Sequence, residues 1–409
     1  QTLGFMLAGV LLGVLGILTN EIVQALSFMV SLALGLIGYN IGHELHSTQL
    51  QGRIMKLLGI VVVEATAAFA LVSILTYMIV GQLHIAILFG ALASATAPAA
   101  TADVVWECEC EGPLTSSLMF VLAGDDIVAV ILTNFALAYA VWFYNPIATS
   151  FVVMLINPII QIIGSAVVGG GFAYLFLKAV DREKDRGKLL ELELGMVVLI
   201  VGLVEFLGFS DIFAAMVFGF VVGRYIPKDT DAVPHLLQRI MAPVIMIFFV
   251  MVGARMAHLL TLEIVITTVI IVAIVYLGGR TIAKYFGTRI GATLVGESES
   301  VKKYLGTCLF CQAGVALGLS FIVEEQFVAI GGAAAEMGIL ILGVVALSTM
   351  VLEGFGPVSV KYSLNRAGEM PEDQDLFNPS EIRTIDITQP KSSEFSSLDE
   401  DDSEVWRDK

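Results

Sequence analysis

Apolar residues run along this chain in blocks separated by short polar stretches, and many blocks approach the roughly 20 residues that an α-helix needs to cross a hydrocarbon layer of ~30 Å. Twelve blocks can be read from the sequence, six in each half. The first six cover 3–18, 22–42, 57–80, 85–102, 113–143 and 151–177. The second six cover 189–207, 212–223, 240–253, 260–287, 304–323 and 327–352. The pattern predicts an all-α polytopic membrane protein of twelve spans.

Basic residues test that count, because lysine and arginine concentrate in cytoplasmic connections. Connections after even-numbered spans hold Arg53 and Lys56, then Lys178, Arg182, Lys184, Arg186 and Lys188, then Arg224, Lys228 and Arg239, then Lys284, Arg289, Lys302 and Lys303. Connections after odd-numbered spans hold Arg255 alone. A miscounted helix would scramble this alternation. Even-numbered connections and the C-terminus are therefore expected in the cytoplasm, in a multi-pass protein of the cell membrane.

Composition agrees. The 409 residues are 57% hydrophobic and 15% charged, with mean hydropathy +0.87, outside the range of soluble globular domains. Much of the net charge of −16 falls after Glu369. Residues 361–409 thus read as an acidic, disordered cytoplasmic tail with too few apolar residues to offset ordering. Cysteine occurs as Cys108/Cys110 and Cys308/Cys311, without a further pair at zinc-site spacing, so these read as small apolar residues. No cofactor or nucleic-acid partner is expected.

Two spans are interrupted. The fourth reads A-S-A-T-A-P-A-A-T-A-D, with Thr96, Ala97, Pro98 and Thr101 in mid-run. Proline there removes a backbone donor and frees carbonyls, which in a membrane must face protein or a water-filled cavity. The eleventh reads C-L-F-C-Q-A-G-V-A-L-G, with Gln312, Gly314 and Gly318 at its centre. The two spans are seven apart and so enter from opposite sides. Paired broken helices in halves of inverted topology point to a substrate site at the midplane.

The fifth span carries A-G-D-D-I-V-A-V, with Asp125 and Asp126 near its centre. A charge at the bilayer centre costs roughly 3 kcal/mol or more, so two adjacent ones need compensation. Adjacent carboxylates in low dielectric cannot both stay ionised cheaply, and a group in that position can trade a proton for a cation. Threonine hydroxyls and freed carbonyls of span four would add hard oxygen ligands. Span ten supplies the cations, Arg280 and Lys284, four residues apart on one face. The reading makes Arg280, the deeper of the two, the aspartate partner and Lys284 a snorkelling anchor. Glu64 in span three reads as a residue facing a cavity or interface.

In these segments, and in A-P-V-I-M-I-F-F-V-M-V-G-A-R-M and G-G-R-T-I-A-K-Y-F-G, the chain resembles the cation/proton antiporter superfamily, closest to prokaryotic sodium/proton antiporters with a two-aspartate motif. The resemblance implies thirteen helices, one of them preceding Gln1, with inverted repeats and two crossing broken helices. It also implies a homodimer whose core rocks against a dimerisation domain. The corresponding division is dimerisation helices at 1–46 and 188–257, core transport helices at 54–143 and 260–355, and a linker helix at 147–178. In family terms Asp126 binds the transported ion, Asp125 pairs with the basic residue of span ten, and Thr96 with the backbone around Ala97 lines the site.

Two departures stand out. Electrogenic two-aspartate members usually place lysine where Arg280 stands, and electroneutral ones usually have Asn-Asp and an acid in span four, where this chain has Asp-Asp and Ala97. The implied function is exchange of Na⁺ or Li⁺ for H⁺ by alternating access. K⁺/H⁺ exchange, an ion channel and a transporter-like receptor are the competing readings.

Overall fold

The computed structural model describes residues 2–47, 53–145, 150–180, 185–226, 232–259 and 265–371. These form fifteen helices and no strand among the described residues. In chain order they are α1 (Thr2–Val14), α2 (Asn20–Ala25), α3 (Ser27–Ser47), α4 (Ile54–Val80), α5 (Leu83–Ser94), α6 (Pro98–Glu107), α7 (Pro113–Tyr144) and α8 (Phe151–Val180). The chain continues through α9 (Arg186–Leu207), α10 (Asp211–Tyr225), α11 (Ala232–Leu259), α12 (Val265–Leu294), α13 (Glu299–Cys308), α14 (Gly314–Ile330) and α15 (Gly332–Ala367).

Among the described residues every predicted apolar block falls on a helix or helix pair, with α2/α3, α5/α6, α13/α14 and α14/α15 each sharing one block; residues 260–264 of the tenth block lie outside the described residues. Seven stretches, counting α5/α6 as one, are long and apolar enough to cross a membrane by themselves. The remaining helices are shorter, interrupted or less uniformly apolar. Outward faces stay apolar, as on α8, where Phe151, Ile156, Ile163 and Val167 are exposed. That is the surface a lipid-facing helix needs.

Helix pairing follows the inverted repeat. The most extensive pairings join α3 to α10, α4 to α12 and α1 to α11. In span numbers these are two with eight, three with ten and one with nine. Moving every span by seven carries the first pair onto the third and the second onto itself, as two related halves require. Small residues allow the close approach. A Cβ on Gly42 of α3 would sit 1.9 Å from the Met216 carbonyl oxygen of α10.

Two boundaries differ from the sequence reading. The last apolar block splits at Gly331 and Gly332, whose φ values of 79° and 57° lie in the left-handed region, so its first residues, from Phe327 to Ile330, end α14 and the final helix starts at Gly332. That helix also runs past Lys361 to Ala367, where Gly368 caps it with φ 73°. Val360, Ser363 and Leu364 are buried there, so packing holds residues that hydropathy assigned to the tail. The remainder of the expected tail, 372–409, lies outside the described residues.

The end of α15 docks onto the helix of the two aspartates. The Glu369 carboxylate accepts hydrogen bonds from the Leu114 and Thr115 amides at 2.7 Å each and from the Thr115 hydroxyl at 2.8 Å. It thereby satisfies orphan donors in the first turn of α7, which has no side-chain cap of its own.

Candidate functional site

The fourth span breaks where its sequence dictates. α5 ends at Ser94, residues 95–97 are extended, and Pro98 opens α6 at the position where its missing amide costs nothing. The eleventh span breaks between Cys308 and Gly314. The two breaks meet backbone to backbone, the Ala97 amide donating to the Cys311 carbonyl at 3.1 Å. Gln312 completes the crossing by donating to the Leu92 carbonyl at 3.0 Å and the Tyr276 hydroxyl at 2.9 Å.

Arg280 fills this crossing. Its guanidinium, fully buried, donates to the carbonyls of Ala95 at 2.7 Å, Phe310 at 2.8 Å, Cys311 at 3.1 Å and Leu309 at 3.4 Å. These carbonyls lie just beyond the C-termini of α5 and α13, where helix dipoles gather partial negative charge. The five-donor fork of arginine suits several acceptors arriving from two chain segments.

The assignment of Arg280 as aspartate partner is therefore corrected. Lys284 takes that role, one helical turn further on. It is no snorkelling anchor: its side chain is fully buried, and Nζ lies 2.8 Å from Asp125 Oδ2. The same nitrogen lies 2.6 Å from the Ser94 carbonyl and 3.0 and 2.9 Å from the two oxygens of Glu64. The supposed absence of a lysine partner for the aspartates disappears with this geometry. Helical spacing placed both cations on one face but could not say which reaches the carboxylates.

Glu64 is the member of this buried network that sequence reasoning undervalued. It is fully buried and shares Lys284 with Asp125. Its signal was available: span ten contains two cations, and one acid in the middle of span three is expensive to bury unless it pairs with one of them. The α4/α12 seam brings them together. Cβ atoms on Gly287 and Gly291 would stand 3.0 Å from Glu64 Cα and 3.1 Å from Ile60 Cα, so these helices touch along glycine.

The other expected site residues fall as follows. Asp125 and Asp126 are both fully buried on α7. The Thr96 hydroxyl, in the first break, donates to Asp125 Oδ2 at 2.7 Å. Asp125 Oδ1 has no hydrogen-bond partner among the described residues. Ala97 and Thr101 are buried at and just beyond the same break, and Pro98 begins α6 between them. Gly314 starts α14, where a Cβ would lie 3.0 Å from Ile37 Cδ1. The structure thus gathers Glu64, Ser94, Thr96, Asp125 and Lys284 into one hydrogen-bonded cluster beside the crossing.

Crossed broken helices next to buried carboxylates and a buried lysine define a cation/proton antiporter. The family model described as "Sodium/hydrogen exchanger, transmembrane" matches residues 1–359, and the chain belongs to that family. Among solved structures, the sodium proton antiporter MjNhaP1 from Methanocaldococcus jannaschii at pH 8 superposes with a TM-score of 0.71. The match has 17% identity and covers 89% of this chain and 92% of that one. An electron-microscopy map structure of the same antiporter gives a TM-score of 0.66 at 19% identity, covering 89% of each chain. At these identities the likeness shows the fold. A comparison with curated proteins finds no match.

Proposed function

We propose that the protein exchanges Na⁺ or Li⁺ for H⁺ by alternating access, with Asp126 as the carboxylate that cation and proton occupy in turn. Asp125, held by Lys284, shapes the site, while Thr96, the backbone at Ala97 and Thr101 line it. The observation that carries this reading is the charge balance of five buried groups on α4, α7 and α12. Glu64, Asp125 and Asp126 are three carboxylates, whereas Lys284 and Arg280 are two cations, and all five are fully buried. With every group ionised these five groups together are one positive charge short of neutrality. In a medium of low dielectric that deficit favours taking up one proton or one monovalent cation, which is the competition antiport requires.

Hard oxygen donors suit a small alkali cation. Asp125 Oδ1 is available for one, since Thr96 and Lys284 both bond the other oxygen. The family's architecture supports a homodimer, with 54–143 and 260–355 forming the moving core, 1–46 and 188–257 the dimerisation part and 147–178 the linker. Lysine and arginine placement supports a cytoplasmic C-terminus.

Reconstitution tests the proposal. Proteoliposomes with an imposed proton gradient should show dye dequenching on addition of Na⁺ or Li⁺, and Asp126→Asn should abolish it. Normal exchange by that variant would overturn the site, and a response to K⁺ alone would move the protein to potassium exchange.

A further inference from the structure

We propose that Glu64 is a positioning residue of the exchange site. It gives the Lys284 ammonium a second carboxylate, so that Lys284 can yield Asp125 when a cation binds the aspartates. The inference rests on the reading of Asp125 and Asp126 as the exchange site.

Lys284 Nζ faces four oxygens: the Ser94 carbonyl at 2.6 Å, Asp125 Oδ2 at 2.8 Å, and both oxygens of Glu64 at 2.9 and 3.0 Å. An ammonium has three protons to donate, so two carboxylates and a carbonyl already employ all of them. Lys284, Glu64 and Asp125 are each fully buried, so no bulk water is at hand to replace a lost acceptor.

A cation arriving at Asp125 competes with the ammonium for the same carboxylate. Without another anion nearby, displacing the ammonium would strand an unpaired charge in the protein interior, which is strongly disfavoured. Glu64 removes that obstacle, because the ammonium keeps a carboxylate whichever way Asp125 is engaged.

The helix packing decides which partnership lasts. Glu64 and Lys284 sit on α4 and α12, which touch along a seam where a Cβ on Gly287 would stand 2.8 Å from Ala67 Cβ and one on Gly291 3.1 Å from Ile60 Cα. That seam brings the two backbones together at the level of Glu64 and Lys284, a Cβ on Gly287 also standing 3.0 Å from Glu64 Cα. Asp125 reaches Lys284 from a different helix, α7. The Glu64–Lys284 contact is the constant one, and the Asp125–Lys284 contact is the one exchanged.

Glu64→Gln tests this directly. Glutamine accepts hydrogen bonds but carries no charge, so the ammonium leans fully on Asp125 and an incoming cation has to displace it from its sole carboxylate. The expected result is a KM for Na⁺ or Li⁺ raised about tenfold or more, the order set by one unit charge a few ångströms away. The maximal rate should change much less. Glu64→Asp keeps the charge with a shorter reach, and its KM should fall between wild type and Glu64→Gln.

A KM within twofold of wild type in Glu64→Gln, or a loss confined to the maximal rate, overturns the inference. Should Glu64→Gln fail to accumulate, Glu64→Asp decides alone, and a wild-type KM there is equally fatal. Asp126→Asn run in parallel separates the two levels. Exchange by Asp126→Asn removes the underlying reading, whereas an inactive Asp126→Asn beside an unmoved KM in the Glu64 variants removes only the role of Glu64.

Discussion

Replacing Arg280 by lysine keeps the positive charge and alters only how it is distributed. Arg280 serves four carbonyls from two chain segments, at 2.7 to 3.4 Å. A lysine offers one nitrogen on a flexible stem and cannot span acceptors that the two ends of a guanidinium reach together. Losing two charge-assisted hydrogen bonds at roughly 1.5 to 3 kcal/mol each gives a loss of about 3 to 6 kcal/mol, concentrated where the broken helices cross. Reversible unfolding of the purified protein in mixed micelles of detergent and dodecyl sulfate, followed by ellipticity, measures that difference. If Arg280 were instead the aspartate's ion-pair partner, lysine would fill the role at small cost. A variant within about 1 kcal/mol of wild type would therefore refute the assignment of Arg280 to the crossing.

Other expectations follow from single contacts. Glu369→Ala leaves the Leu114 and Thr115 amides without their acceptor and should cost up to about 2 kcal/mol, read in the same unfolding assay. Gly42→Ala would place a methyl 1.9 Å from the Met216 carbonyl oxygen, so α3 and α10 must separate; a loss of about 1 to 3 kcal/mol is expected, and unchanged stability would contradict the packing. Burial, and then the neighbouring Cys108 and Glu369, push the Cys110 thiol in the connection between α6 and α7 up to about 11. The folded protein should thus expose about one thiolate in a thousand there at pH 8, and maleimide labelling of Cys110 should rise about tenfold per pH unit until near that value. Fast labelling at pH 7 would show the site to be more open than described.

Much of this architecture can be read from residue order alone. Twelve apolar blocks locate the helices, since burial in lipid requires length and apolarity above all else. Pro98 marks the first break to the residue, because a proline inside a span has few other uses. Asp125 and Asp126 declare themselves by their cost. Sequence is silent where the answer depends on depth and reach. Arg280 and Lys284 share a helix face, and only the position of the crossing relative to α12 decides which meets a carbonyl and which a carboxylate. For the same reason Glu64 reads from sequence only as a residue facing a cavity or interface, since its partner lies 220 residues away. The end of α15 was misjudged because hydropathy falls at Lys361 while Ser363 and Leu364 remain packed.

The link from Ala97 nitrogen to Cys311 oxygen involves only main-chain atoms. Mutation cannot delete such a link by changing a side chain, except by installing proline at 97. Natural drift can therefore rewrite nearly every residue around the junction and leave its geometry standing. That offers a physical reason why a relative with 17% identical residues can still superpose over most of its length.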